Sequence, residues 1–162
     1  MKKLKIITLP DPILRKKSTE IEPAQIRSKK IKALMTEMKE LMLEADGVGL
    51  AAPQIGLNIR LIAVNTADGP ICLINPQIRK KSWLREWGEE GCLSVPGVYG
   101  EVRRHKKISS SYLDLAGNRK KLEASGLLAR ILQHEIDHLD GILFIDKMRP
   151  IKNEGLKKTD GK

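Results

Sequence analysis

Gln133-His134-Glu135-Ile136-Asp137-His138-Leu139-Asp140-Gly141 is the stretch of this chain that says most about its fold and chemistry. His134 and His138 are four residues apart, a spacing that places both imidazoles on one face of a helix. Two such imidazoles can share one metal ion. Glu135, about 100° around the helix, can then reach a water held by that metal. The segment therefore predicts a hydrolytic metal centre.

The residues before this stretch independently predict a helix. Ser125 is suited to the N-cap, and Gly141 stands where a glycine usually ends a helix. Apolar residues recur between them at helical spacing: Leu127, Leu128, Ile131, Leu132, Ile136 and Leu139. The two histidines fall in the same register, beside this apolar stripe. The alternative is a pair of histidines in the core or on the surface without a ligand.

A catalytic metal site needs a third protein ligand and an open position for water. After Gly141 the chain offers Asp146 and Glu154 but no histidine. Before the helix, the segment Glu-Gly-Cys-Leu-Ser-Val-Pro at 90–96 holds Cys92 in a short extended stretch. A thiolate is a good donor for zinc or ferrous iron. We therefore predict Cys92 as the third ligand.

The two cysteines, Cys72 and Cys92, are predicted to remain reduced. The first ten residues contain an apolar run too short for the core of a secretory signal, so we expect a cytoplasmic protein without a disulfide. Cys72 lies in the apolar run Ile-Cys-Leu-Ile at 71–74, where we expect it to be buried as a small hydrophobic residue.

A glycine-rich segment, Gly-Val-Gly-Leu-Ala-Ala-Pro-Gln-Ile-Gly, occupies 47–56. Its first six residues match a loose dinucleotide-binding fingerprint, but that motif needs a strand before it and a helix after it. Here a helical pattern comes before and a strand pattern at 60–65 after. We therefore expect an exposed loop that lines a substrate groove, with the Gln54 amide as a hydrogen-bond donor to a developing oxyanion.

Taken together, these three segments closely resemble the peptide deformylases. The motifs of that family are a glycine-rich loop ending in Ala-Ala-Pro-Gln, a Glu-Gly-Cys-Leu-Ser segment and His-Glu-any-any-His. They stand here at 47–54, 90–94 and 134–138, in the order of the family and at similar spacing. The resemblance extends from Ile6 to about Met148, and three motifs together are far more specific than one.

The resemblance implies removal of the N-formyl group from the N-terminal formylmethionine of new polypeptides, with release of formate. Cys92, His134 and His138 would hold one divalent metal ion. Glu135 would transfer the proton of the attacking water, as a general acid and base. Gln54 and the backbone N–H of Leu93 would stabilise the oxyanion.

An apolar slot for the methionine side chain is also implied. Its lining would come from the glycine-rich loop and from the metal-binding helix: Val48, Gly49, Leu50, Leu127 and Ile131. The alternative is that the apolar members of this set are simply core. The family is known for using iron, so Fe²⁺ is expected, with Zn²⁺, Ni²⁺ or Co²⁺ as substitutes.

The chain of 162 residues is long enough for one domain and too short for two ordinary ones. A helix is predicted at 23–45, and strands at 60–65, 71–74, 107–113 and 119–123. We expect a single α+β domain over 1–150, with antiparallel β-sheets packed around the central metal-binding helix. A basic tail at 151–162 is expected to be disordered.

A net charge of +10 raises a second class of function, a ribosome- or RNA-binding module without catalysis. Such a module would leave the metal ligands and Gln54 unexplained. A metallopeptidase of ordinary peptide bonds is the other alternative, and the upstream cysteine ligand disfavours it. We expect N-formylmethionyl nascent peptides as substrates and the ribosome as a transient partner through the basic surface. We expect neither membrane insertion nor specific DNA binding.

Overall fold

Three layers make up the part of the chain described by this computed structural model, residues 4–149. A five-stranded antiparallel sheet lies between two helices, and a separate two-stranded sheet flanks one of them. The helices are α1 (Pro23–Ile26), α2 (Lys29–Glu44) and α3 (Gly126–Leu139). The strands are β1 (Gly49–Ala51), β2 (Leu61–Thr66), β3 (Gly69–Lys81), β4 (Arg85–Cys92), β5 (Val95–His105), β6 (Lys107–Leu113) and β7 (Arg119–Ser125). Short 3₁₀ helices lie at Pro12–Arg15, Ala52–Ile55 and Phe144–Asp146.

The strand order in the larger sheet is β1-β2-β3-β6-β7, and β4 pairs with β5 in the smaller one. Each pair of neighbouring strands is antiparallel. The chain leaves the larger sheet after β3, forms the β4–β5 hairpin and returns as β6. The prediction of an α+β domain with antiparallel sheets around the metal-binding helix is confirmed.

Strand β2 shows why the larger sheet is buried on both faces. Successive residues of a strand point to opposite faces. Leu61 and Ala63 belong to the core against α2, while Ile62 and Val64 belong to the core against α3. All four are fully buried, so a continuous apolar run is the pattern that this position requires. Helix α2 contributes Met35, Met38 and Met42 to the first core; helix α3 contributes Ala129, Ile131, Leu132, Ile136 and Leu139 to the second.

The prediction of one continuous helix at 23–45 is wrong. The chain forms α1, then a break at Arg27 and Ser28, then α2. The Ser28 hydroxyl accepts a hydrogen bond from Ile31 N at 3.2 Å and so caps α2. Serine competes with helix continuation because its side chain can satisfy a backbone N–H at a helix start.

The expectation of an exposed loop at 47–56 is also wrong in part. Val48 is exposed, but Gly49–Ala51 forms β1, paired with β2, and Ala52–Ile55 is a buried 3₁₀ helix. The backbone polar groups of the segment are satisfied by this pairing, which allows it to be buried. The segment does lie between a helix and a strand, as predicted.

The predicted tail at 151–162 lies outside the described residues. Among the helices that are described, none is long and apolar enough to cross a membrane.

Candidate metal centre

Helix α3 carries three of the predicted site residues. His134, Glu135 and His138 all lie on its inner side, and Glu135 and His138 are buried. Ser125 holds the N-cap position, although its hydroxyl makes no capping hydrogen bond. Gly141 follows the helix with φ of 73°, a left-handed conformation that favours glycine, and a side chain there would meet the carbonyl of Arg15.

The hairpin turn between β4 and β5 brings Cys92 to this helix. Cys92 ends β4, where the pairing with β5 is irregular. Its Sγ lies 3.2 Å from Nε2 of His138. Two ligands at a tetrahedral angle around zinc or iron are about 3.5 Å apart. The donor atoms of Cys92, His134 and His138 all lie within 4.8 Å of one another. The structure thus brings together the three predicted metal ligands, which come from two separate elements.

Glu90 orients one of these ligands. Its carboxylate is buried and lies 2.9 Å from Nδ1 of His134, which leaves Nε2 of that ring free to face Cys92 and His138. Burial alone would lower the pKa of His134, but hydrogen bonds to Cys92 and Glu90 outweigh it and raise that pKa to about 10. A site that holds a proton this strongly stabilises positive charge. The Glu90 carboxylate that favours this charge would equally favour a metal cation at Nε2, which would displace one ring proton when it binds.

Two arginines neutralise Glu90. Arg104 donates two hydrogen bonds to its carboxylate, at 2.9 and 3.0 Å, and Arg130 donates one at 2.9 Å. Burial would raise the pKa of Glu90, but its hydrogen bonds with His134 and Arg104 lower it to about 2. None of these three residues was predicted from the sequence. The one signal available was the position of Glu90 two residues before the predicted ligand Cys92.

The carboxyl group of Glu135 is buried beside the three donor atoms. Its Oε2 is buried and has no hydrogen-bond partner among the described residues. Burial raises the pKa of this carboxyl to about 7. Gly49 of β1 makes room for it, because a Cβ at that position would lie 2.3 Å from Oε1 of Glu135. A carboxyl with a pKa near neutrality can both accept and return a proton.

His138 completes the test of whether a metal fits. Burial lowers the pKa of His138 well below its usual value, so the ring is neutral. A neutral imidazole with its Nε2 directed at Cys92 is the form that binds a metal. The donor set of one sulfur and two imidazoles, the converging geometry and the unpartnered Oε2 of Glu135 all fit a divalent metal ion with an open position.

Gln54 and Leu93 border the same site. The Gln54 side chain is buried; its Oε1 accepts a hydrogen bond from Ala51 N at 2.8 Å, which fixes the orientation of the amide. Its Nε2 then points towards Sγ of Cys92 at 3.5 Å and Oγ of Ser94 at 3.3 Å. Leu93 directly follows Cys92, and both Gln54 and Leu93 line the cavity beside the site.

That cavity has a volume of about 440 Å³ and reaches His134 and Glu135. Four of the five residues predicted to bind substrate line it: Val48, Gly49, Leu127 and Ile131. Val48 and Leu127 are 50% and 66% exposed, so they border its open part, whereas Ile131 is buried. Leu50 is placed elsewhere. It is fully buried in the core against α2 and does not line the cavity, because neighbouring residues of a strand face opposite ways.

Comparison with known proteins agrees with this geometry. The family model described as polypeptide deformylase matches residues 3–154. The chain belongs to the polypeptide deformylase family. It is 47% identical to peptide deformylase 2 of Gloeobacter violaceus over 150 residues, which cover 90% of this chain and 79% of the relative.

Solved structures show the same fold. The peptide deformylase of Thermotoga maritima superposes with a TM-score of 0.87 at 37% identity, covering 93% of this chain and 100% of that one. A class I type b peptide deformylase from Acinetobacter baumannii, bound to Met-Ala-Ser, superposes with a TM-score of 0.84 at 34% identity, covering 90% and 98%. The chain is therefore a metal-dependent hydrolase that removes the formyl group from N-formylmethionyl peptides.

Proposed function

We propose that Cys92, His134 and His138 hold one divalent metal ion and that Glu135 moves the proton in the deformylation reaction. The observation that carries this proposal is the convergence of three donor atoms within 4.8 Å beside the buried carboxyl group of Glu135, whose Oε2 has no hydrogen-bond partner among residues 4–149. When bound, the metal lowers the pKa of water towards about 7 and withdraws electron density from the formyl oxygen.

The chain's own residues carry the remaining steps. Glu135 accepts a proton from the attacking water, whose oxygen forms a bond with the formyl carbon. The C–N bond then breaks, and Glu135 delivers the proton to the leaving amine, so that formate and a free N-terminus are released. The Gln54 amide and the Leu93 backbone N–H donate hydrogen bonds to the oxyanion that develops on the formyl oxygen. One such donor is typically worth about 2.7–4 kcal/mol.

Recognition of the substrate combines apolar contact and backbone pairing. Val48, Leu127 and Ile131 offer an apolar wall for the methionine side chain. Among the described strands, β1 pairs with β2 alone, so its other edge is free, and Gly49 of β1 lines the cavity. An extended peptide added along this edge would place its formyl group near Glu135. The Acinetobacter relative bound to Met-Ala-Ser supports a peptide in this cavity.

The donor set also bears on the metal and the compartment. One thiolate and two imidazoles suit Fe²⁺, which we propose as the native metal, and also accept Zn²⁺, Ni²⁺ or Co²⁺. Cys92 must be reduced to ligate, and in the described structure both cysteines are free thiols. We therefore place the reaction in the cytoplasm, where nascent formylated chains emerge and thiols remain reduced. The ribosome is proposed as a transient partner.

Substitution of Glu135 tests the proposed chemistry. Glu135→Gln preserves the size of the side chain but cannot accept a proton, so formate release from formyl-Met-Ala-Ser should fall by about 10²–10⁴-fold while the metal stays bound. Formate and metal content are measured on the same preparation. Unformylated Met-Ala-Ser serves as the control substrate, and its cleavage would favour an ordinary metallopeptidase. Near-normal formate release from metal-loaded Glu135→Gln would refute the role of Glu135.

A further inference from the structure

An exposed tryptophan marks the place where the chain passes between the two sheets. β3 ends at Lys81 and β4 begins at Arg85, so residues 82–84 make one crossing. β5 ends at His105 and β6 begins at Lys107, so Lys106 makes the other. The two crossings lie side by side. We call residues 80–85 and 105–107 the Trp83 corner.

Hydrogen bonds hold this corner in one conformation. Ser82 N donates to the carbonyl of Lys107 at 2.9 Å, and Lys106 N donates to the carbonyl of Leu84 at 3.0 Å. The Ser82 hydroxyl donates to the Leu84 carbonyl at 2.9 Å and accepts from Lys107 N at 3.1 Å. His105 Nδ1 lies 2.6 Å from the Ser82 carbonyl. Trp83 thus lies on a turn whose conformation is fixed by these hydrogen bonds.

The indole of Trp83 does not belong to any hydrophobic core of the described residues. Trp83 is 96% exposed and the neighbouring Leu84 is 65% exposed, so neither contributes to a core. The indole face is therefore open to water and available for stacking against a partner.

The two crossings themselves carry only positive charges, and Glu86 is the acidic residue that follows them on β4. Neither 79–85 nor 102–107 contains an aspartate or glutamate. Lys81, Arg85 and Lys107 are exposed, and none of them has an acidic partner within the described residues. Lys106 pairs with Glu86 at 3.6 Å. These unpaired cations create a local positive field that favours a polyanion.

We propose that the Trp83 corner binds unpaired RNA, with a base stacked on the indole and with phosphates against Lys81, Arg85 and Lys107. An aromatic ring surrounded by cations is the arrangement that single-stranded nucleic acid requires, because any unpaired base offers a face for stacking. Duplex bases are already stacked. An anionic bilayer would call for a broad apolar face, and the exposed apolar area here is limited to Trp83 and Leu84.

The location of the corner lets RNA binding and catalysis occur together. β4 runs from Arg85 beside Trp83 to the metal ligand Cys92, roughly 25 Å at the rise of a strand. None of the residues of the corner lines the catalytic cavity. The inference gives the proposed ribosome docking a definite surface, and it rests on that proposal for its biological role.

Binding to a fluorescein-labelled 12-nucleotide oligouridylate tests the stacking part. Trp83→Ala should weaken binding by about five- to 150-fold without changing its salt dependence, because stacking releases no counterions. Trp83→Phe should restore most of the affinity. Purified ribosomes should displace the labelled RNA from the wild type.

A pair of double variants tests the charge part. Lys81→Ala with Lys107→Ala should reduce the slope of log affinity against log salt by about 1.4, since each lost phosphate contact removes about 0.7. Lys29→Ala with Lys30→Ala is the matched control: it removes the same charge from exposed residues at the start of α2 and should leave the slope unchanged.

Three outcomes would overturn the proposal. They are wild-type affinity in Trp83→Ala, an equal change of slope in the two double variants, and binding to phosphatidylglycerol vesicles without binding to RNA. Formate release from formyl-Met-Ala-Ser is measured on every variant and should stay at the wild-type rate. If the wild type itself releases no formate, the proposed reaction fails, while the RNA measurements still decide the role of the corner.

Discussion

Gly49 leaves room for the side chain of Glu135, the proposed proton-transfer residue. The backbone of β1 approaches Glu135 so closely that an added Cβ would lie 2.3 Å from Oε1 and 2.7 Å from the carboxyl carbon. Real Cβ atoms do not come this close, and Glu135 is buried, so the carboxylate would have to move. The substitution would therefore misplace the Glu135 carboxylate, while Cys92, His134 and His138 stay in place.

Gly49→Ala should therefore keep its metal and lose about 100-fold in kcat, the typical result of misplacing a catalytic group by about 1 Å. Gly117→Ala is the control. It adds the same methyl in a turn where nothing lies within 4 Å, although its φ of 78° imposes strain. Both variants should lose some stability, but only Gly49→Ala should lose kcat. Unchanged turnover in Gly49→Ala would contradict the placement of Glu135.

The sequence predicts the residues of this site unevenly. His134, Glu135 and His138 could be predicted because helical periodicity relates neighbours on one face, and Cys92 because few other donors were available. Glu90 and Arg130 could not, since their roles depend on the tertiary approach of the β4–β5 hairpin to α3. Leu50 was assigned to the cavity, but alternation along β1 turns it into the core.

At the scale of elements, Arg130 joins the β4–β5 hairpin to α3. It donates hydrogen bonds to the carbonyls of Glu86 and Gly88 on β4 and of Val102 on β5, and to the carboxylate of Glu90. These hydrogen bonds matter because the hairpin carries Cys92 while the helix carries His134 and His138, the other two proposed metal ligands.

Arg130→Met should lower metal affinity by about 10–100-fold, the usual cost of losing a residue that orients a ligand. Arg130→Lys keeps the charge but not the fork of donors, and should give an intermediate loss. Arg85→Met makes the same change on an exposed part of the hairpin and should bind metal as the wild type does. Metal affinity is measured by competition with a chelator. Wild-type affinity in Arg130→Met would show that the hairpin is positioned without the hydrogen bonds of Arg130.

Elements were predictable where their patterns are local. The predicted strand at 107–113 coincides with β6, and α3 was identified with its final glycine. β4 and β5 were not predicted, because both contain glycines and charged residues without a regular apolar alternation and are held by pairing with each other. α1 and α2 are separate helices because the Ser28 side chain caps the start of α2. The apolar residues keep a helical spacing across the break, so the sequence pattern does not show it.

At the scale of the whole molecule, a bound metal would link the two-stranded sheet to the helix α3 that packs on the larger sheet. Cys92 belongs to the two-stranded sheet, while His134 and His138 belong to the helix packed on the larger sheet. The overall fold class could be predicted from strands grouped between helices, but the separation into two sheets could not, because it arises where the chain crosses at 82–84 and 106.

Removing the metal should lower the melting temperature of the protein. A ligand present at about 1,000 times its Kd adds about 4.1 kcal/mol of stability, which for a chain of this size corresponds to roughly 10 °C. Calorimetry of the metal-loaded and the chelated protein measures the shift. Cys92→Ser provides the control, because chelator should change its melting temperature little. An unchanged melting temperature after verified loss of metal would contradict the coupling.

The most direct test of the proposed metal centre is to measure formate release against the amount of metal bound. Metal-free protein is reconstituted anaerobically with increasing Fe²⁺, passed through gel filtration and assayed with formyl-Met-Ala-Ser. Activity should rise in proportion to bound iron and level off near one ion per chain. Cys92→Ser should retain no metal through gel filtration and release no formate, because serine is a poor ligand at neutral pH. Full activity of metal-free wild type, or tightly bound metal in active Cys92→Ser, would contradict the centre formed by Cys92, His134 and His138.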